Sequence, residues 1–201
     1  IRGFTTVSES LTPPELVKLL NEYLSPMTRI VLDERGTLDK FIGDAVMALF
    51  NAPLDVPEHA THACSTAVRM MEELKTLNIG FAERGMHTLD IGVGINTGPA
   101  VVGNMGADIR FDYTAIGDAV NLSSRLEGLN KYYGTHILVS EDTRNQVNDS
   151  RFIFREVDRV KVKGKHLPIV MYELMISNIE ILPSFENALE KYRSQDFSGA
   201  K

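Results

Sequence analysis

Apolar residues at Leu16, Leu19, Leu20, Tyr23, Leu24, Met27, Ile30 and Val31 recur with a period near 3.6 residues. This predicts an amphipathic helix packed by one face into a core. Its start is written in Thr12-Pro-Pro-Glu15: Thr12 as N-cap, Pro13 in the first turn, and Glu15 closing a capping box. Gly36 stands where a left-handed C-cap would end the helix. A second helical stripe runs through Ala60, Ala63, Cys64, Ala67, Met71 and Leu74 within residues 57–77. Cys64 lies on that stripe, so it reads as a small buried apolar residue, and not as a nucleophile. His59 and His62, at the helix start without a third ligand in view, read as solvated polar residues. A third helix is expected over 118–132, entered through Gly117-Asp118, with its stripe at Leu122, Leu126 and Leu129. Asn121 and Arg125, four apart, share one face of it. By spacing alone that pair is a solvated surface.

Between the helices the pattern changes to short apolar runs. Leu38 to Phe50 reads as two strands meeting at a tight Gly43-Asp44 turn, with Lys40 on the flank. It is either a polar hairpin or a device that holds a metal and reads a ligand. Leu89–Ile95 and Pro99–Gly103 read as a second hairpin around Asn96-Thr97-Gly98. Gly92, Gly94 and Gly98 are not spaced as a dinucleotide fingerprint and no helix follows them, so that reading is rejected. Residues 103–110 read as a flexible loop able to approach a phosphate. A strand over 135–140, a short helix over 141–147, and two strands over 152–162 and 167–174 follow, the last two joined by Lys163-Gly-Lys-His166. Residues 1–10 read as a strand end turning through Gly3 into a Thr/Ser-rich loop. Residues 182–193 form an amphipathic helix behind a Pro-Ser cap, which is either a plain terminal helix or similar to the first half of a tetratricopeptide-type repeat. Hairpins alternating with helices predict an α+β fold, ferredoxin-like or palm-like, with a mostly antiparallel sheet and flanking helices.

Composition narrows the function classes. The 201 residues are long enough for a substantial core, and a net charge of −6 argues against nucleic-acid binding. No apolar run approaches a membrane span, so direct membrane contact is not expected. The single cysteine permits no internal disulfide and points to a cytoplasmic location.

Four segments, read together, carry a resemblance: Ile1-Arg-Gly-Phe-Thr5, Lys40-Phe-Ile-Gly-Asp44, Phe111-Asp-Tyr-Thr-Ala-Ile-Gly-Asp-Ala-Val-Asn-Leu-Ser-Ser-Arg125, and Val162-Lys-Gly-Lys165. In this order they resemble the catalytic domain of class III nucleotidyl cyclases, of the bacterial adenylate cyclase type. The resemblance covers residues 1–175, leaving 176–201 as a helical extension. It implies attack of the ribose 3′-hydroxyl of ATP on the α-phosphorus, giving cyclic AMP and pyrophosphate, with two divalent ions, Mg²⁺ or Mn²⁺.

The resemblance also assigns residues. Asp44 and the Ile1 backbone carbonyl would hold metal, with a second carboxylate expected immediately before Ile1, where an upstream regulatory domain is expected as well. Gly3, Phe4, Thr5, Gly43 and Lys163 would hold phosphates. Lys40 and Thr114 would read the base, the ammonium donating to adenine N1 and the hydroxyl accepting from the 6-amino group. Guanylate-selective relatives use an acidic residue at the Lys40 position. Asn121 would orient the ribose, Arg125 would stabilise charge on the α-phosphate, and Asp118 would cap its helix. The family's shared sites imply a two-fold homodimer in which Asp44 and Lys40 of one chain serve opposite sites. A guanylate or relaxed-specificity cyclase and an inert cyclase-fold signalling module are the alternatives.

Overall fold

The computed structural model describes residues 1–107, 109–161, 168–176 and 179–199. Six helices and eight strands are found there: α1 Phe4–Glu9, α2 Pro13–Asp33, β1 Thr37–Ile42, β2 Ala45–Leu49, α3 His59–Glu83, β3 Val93–Ile95, β4 Val101–Ala107, β5 Arg110–Ile116, α4 Asp118–Tyr133, β6 Ile137–Ser140, α5 Glu141–Arg144, β7 Phe154–Val160, β8 Ile169–Leu174 and α6 Leu182–Arg193. The central sheet has the order β3-β6-β8-β7, with β3 parallel to β6 and the other pairs antiparallel. Two antiparallel hairpins, β1-β2 and β4-β5, stand beside it. This is the expected α+β architecture, with helices packed on both faces of a mostly antiparallel strand set.

Strand β6 shows how the layers form. Its four residues are all buried, and successive side chains point to opposite faces. Ile137 and Val139 join the larger core with Leu19, Met27 and Val31 of α2 and Cys64, Met71 and Leu74 of α3. Leu138 joins a smaller core with Leu122 and Leu126 of α4 and Met171 of β8. Cys64 is fully buried, and burial pushes its thiol up to about 12, so it is packing and not chemistry.

The capping box of α2 forms as its sequence dictates: the Thr12 backbone N–H donates to the Glu15 carboxylate at 2.9 Å. Four expectations need correction. Residues 4–9 are helical, because Gly3 at φ 63° turns the chain directly into α1. At the end of α2 it is Arg35, at φ 62°, that takes the left-handed conformation. Gly36 is required for a different reason, since a Cβ there would stand 2.8 Å from the Phe50 ring. The second hairpin is not β3 with β4. Val93–Ile95 leaves the turn to pair in parallel with Ile137–Val139, and β4 pairs with β5, so most of the expected loop 103–110 is strand. Finally, His62 is not simply solvated: its Nδ1 lies 3.2 Å from the Glu34 carboxylate, which also accepts from Ser65 and Arg69.

Gly94 explains why glycine interrupts an apolar strand. A Cβ there would lie 2.2 Å from the Ser123 carbonyl oxygen and 2.3 Å from the Glu127 nitrogen. The backbone of α4 therefore rests directly on β3, and this contact sets where Asn121 and Arg125 stand.

Candidate active site

The β1-β2 turn carries Gly43 at φ 62°, a conformation that only glycine adopts freely, and so holds Asp44 at its tip. The Asp44 side chain is about one-fifth exposed, and its Oδ2 lies 2.5 Å from the Ile1 α-nitrogen. Ile1 thus stands against this carboxylate. Tyr23 is buried beside it, and burial, reinforced by the Asp44 charge, raises the phenol well above its ordinary range.

Ile1, Asp44 and Asn121 line one cavity of about 820 Å³ between β2, β3, α3 and the start of α4. Gly3 is the N-cap of α1, and Phe4 and Thr5 are its first residues, whose N–H groups belong to a first helical turn. Asn121 is exposed on α4. Arg125, one turn on, has a buried Nη1 with no hydrogen-bond partner among the described residues. A buried guanidinium donor without an acceptor is costly unless an anion completes it. Asp118 stands in the first turn of α4, where a carboxylate suits the helix dipole, while Gly117 occupies the N-cap position that the sequence reading gave to Asp118.

Lys40 and Thr114 form a separate cluster. Thr114, on β5, is buried, and its hydroxyl donates to Asp39 Oδ2 at 2.6 Å. Lys40 Nζ lies 3.5 Å from Asp39 Oδ1. One buried carboxylate therefore holds an ammonium and a hydroxyl side by side. Neither Lys40, Thr114 nor Arg125 lines the cavity that contains Asp44. Lys163 lies outside the described residues.

Asp39 escaped the sequence reading. Two charged residues in succession, Asp39 and Lys40, in an otherwise alternating strand were the available signal. A second cavity, of about 550 Å³ between α3 and residues 151–152 and 175–176, is lined by the Glu34 network and by none of these groups.

As to metal, no group of three or more His, Cys, Asp or Glu able to hold an ion occurs among the described residues. Asp44 offers a hard oxygen donor at the tip of its hairpin, with Ile1 beside it. A magnesium-type ion takes one or two carboxylates and completes its shell with substrate phosphates and water. The donor set fits that mode.

The structure is an α+β domain in which a hairpin carboxylate and an asparagine-bearing helix border one cavity. The chain belongs to the adenylate and guanylate cyclase catalytic domain family, whose profile matches residues 1–176. It is 41% identical over 175 residues to Adenylate cyclase 1 of Rhizobium meliloti, covering 87% of this chain and 26% of that protein. The chain therefore spans about a quarter of the length of that relative. Among solved structures it is similar to the adenylyl cyclase CyaB from P. aeruginosa, with TM-score 0.80 and 38% identity over 89% of this chain and 91% of the other. It is equally similar in fold to the guanylyl cyclase Cya2, with TM-score 0.80 and 35% identity over 90% and 91% of the two chains.

Proposed function

We propose that this domain is an adenylate cyclase, converting ATP to cyclic AMP and pyrophosphate at two equivalent sites of a homodimer. The observation that carries the choice of base is the Lys40–Asp39–Thr114 cluster, in which a cation and a hydroxyl oxygen sit on one carboxylate. Adenine needs a donor at N1 and an acceptor at its 6-amino group, and these two side chains supply both.

The roles of the chain's residues follow from charge and reach. Asn121 orients the ribose so that the 3′-oxygen faces the α-phosphorus. Arg125 gives its free Nη1 to the α-phosphate oxygens, whose negative charge grows as the new bond forms. A donor that binds this developing charge better than ground-state ATP raises turnover more than affinity. The first-turn N–H groups of Phe4 and Thr5, the open backbone at Gly3 and Gly43, and Lys163 hold the leaving pyrophosphate. Asp44 and the Ile1 carbonyl would hold divalent ions, two in number and Mg²⁺ or Mn²⁺, which supply hydroxyl activation and charge neutralisation when bound.

A dimer is supported by the exposed apolar residues Phe41, Ile42, Val101, Phe111 and Ile116 on the β1 and β4-β5 hairpins. It is supported too by the separation of Lys40, Thr114 and Arg125 from the Asp44 cavity within one chain, which of the nucleotide-reading residues only Asn121 lines. We place the domain in the cytoplasm, where ATP is abundant and a buried reduced Cys64 is at home. Among the described residues no helix is long and apolar enough to cross a membrane. An upstream regulatory domain fits the length of the Rhizobium relative.

The similarity to Cya2 favours guanylate cyclase as the second reading. Comparing kcat/KM for ATP and GTP, with the cyclic product read by chromatography, separates them: ATP preference is expected, and GTP preference overturns the assignment of Lys40 and Thr114.

A further inference from the structure

We propose that Asp39 is the positioning residue that turns Thr114 into an acceptor and thereby sets selectivity for a 6-amino purine. This rests on the reading of Lys40 and Thr114 as the pair that meets the base. In β1, Leu38 pairs with Ala48 and Lys40 with Met47, so Asp39 is the extra residue of a β-bulge. A bulge breaks the alternation of a strand and re-aims a side chain. Here it sends the Asp39 carboxylate, fully buried, across to β5.

A threonine hydroxyl is ambivalent, with one proton to give and lone pairs to receive. Left alone, it would satisfy the 6-amino group of adenine or the 6-oxo group of guanine equally well. An ionised carboxylate can only accept. Asp39 Oδ2 takes the Thr114 proton at 2.6 Å and is fixed in place by the Ala115 N–H at 3.3 Å. The hydroxyl therefore has only lone pairs to offer a base. Asp39 Oδ1 accepts no hydrogen bond and instead faces Lys40 Nζ at 3.5 Å, which aligns the ammonium beside that hydroxyl. A buried carboxylate is expensive to keep without full hydrogen bonding, so its retention at a bulge is best explained by what it does to its two neighbours.

Asp39→Asn tests this. Lys40 demands an acceptor, so the amide oxygen turns to the ammonium and the amide NH₂ donates to the Thr114 oxygen. The Thr114 proton is then free to point at a 6-oxo group. Inosine triphosphate isolates that edge, since it carries the 6-oxo group and lacks the 2-amino group of guanine. The ratio of kcat/KM for ATP over inosine triphosphate should fall about tenfold or more, the size of one matched polar contact. Asp39→Ala should shift the ratio in the same direction. In a Thr114→Val background the shift should be much smaller, because only the part transmitted through Lys40 remains.

Equal losses for both nucleotides, or the same shift with valine at 114 as with threonine, overturn the proposal. If Asp39→Ala is not recovered folded, Asp39→Asn decides alone, and a ratio unchanged within about twofold counts against it. Competition of ATP and inosine triphosphate against fluorescent mant-ATP gives the same ratio at equilibrium. A wild-type preference for GTP overturns the base reading together with this inference. A wild-type preference for ATP whose ratio over inosine triphosphate is unchanged in both Asp39 variants overturns this inference alone.

Discussion

Asp44 Oδ2 lies 2.5 Å from the α-nitrogen of Ile1, joining residues 43 positions apart in the sequence at the mouth of one cavity. The contact ties Ile1 to the hairpin tip that carries Asp44. The base-reading pair, Lys40 and Thr114, does not line that cavity.

Two crippled chains should therefore repair each other. Asp44→Ala and Arg125→Ala proteins are each expected to keep about 1% of wild-type activity or less. Mixed and allowed to exchange subunits, they should recover about a quarter of wild-type activity, because random pairing leaves one complete site in half of the dimers. Persistent inactivity of a mixture shown by native mass spectrometry to contain heterodimers would refute the shared-site arrangement.

Arg125→Ala alone should lower kcat about 10²- to 10³-fold with little change in KM, as expected for a donor used mainly in the transition state. Steady-state kinetics with ATP measure it. A rise in KM at constant kcat would mean that the guanidinium binds ground-state nucleotide instead.

Gly94→Ala is expected to destabilise the fold by about 3 kcal/mol or more, because the new methyl meets the α4 backbone and not a flexible side chain. Denaturant melts check it. Where the variant still folds, displaced α4 should lower activity further than stability alone accounts for. A variant as stable and as active as the parent would remove β3 from its role in placing α4.

Glu34 supplies the pH prediction. Burial works to raise its pKa, but hydrogen bonds from Arg69, Ser65 and His62 outweigh it and hold the carboxyl below its ordinary value of 4.5. A depressed folded-state value means that the unfolded chain takes up protons first. Its stabilisation is thus complete above about 4.5 and is lost as pH falls through the lower folded value. Glu34→Gln should flatten the acid limb of a Tm-versus-pH curve and cost about 1–2 kcal/mol at pH 7. An unchanged acid limb would show the network to be inconsequential.

Much of the fold was legible because its signals are local. The Thr12–Glu15 box, the stripe of α2 and the Gly43 turn are each written within a few residues. The parallel pairing of Val93–Ile95 with Ile137–Val139 has no such signature, since its partners lie more than forty positions apart and no turn residue announces the join. The same reason hid Asp39, whose meaning depends on a bulge against β2 and a hydroxyl on β5. α1 was missed because one left-handed glycine, Gly3, substituted for the side-chain cap that would have announced a helix.

Strand β7 ends its sheet, so one of its sides has no strand partner among the described residues. Consecutive residues of that strand point to opposite faces, yet Arg155 stacks on Phe185 and Glu156 pairs with Arg193, both from α6. A helix that grips neighbouring residues on both faces must straddle the rim between them. Helix α6 thus acts as a hem along the strand margin by which a sheet would otherwise recruit another chain.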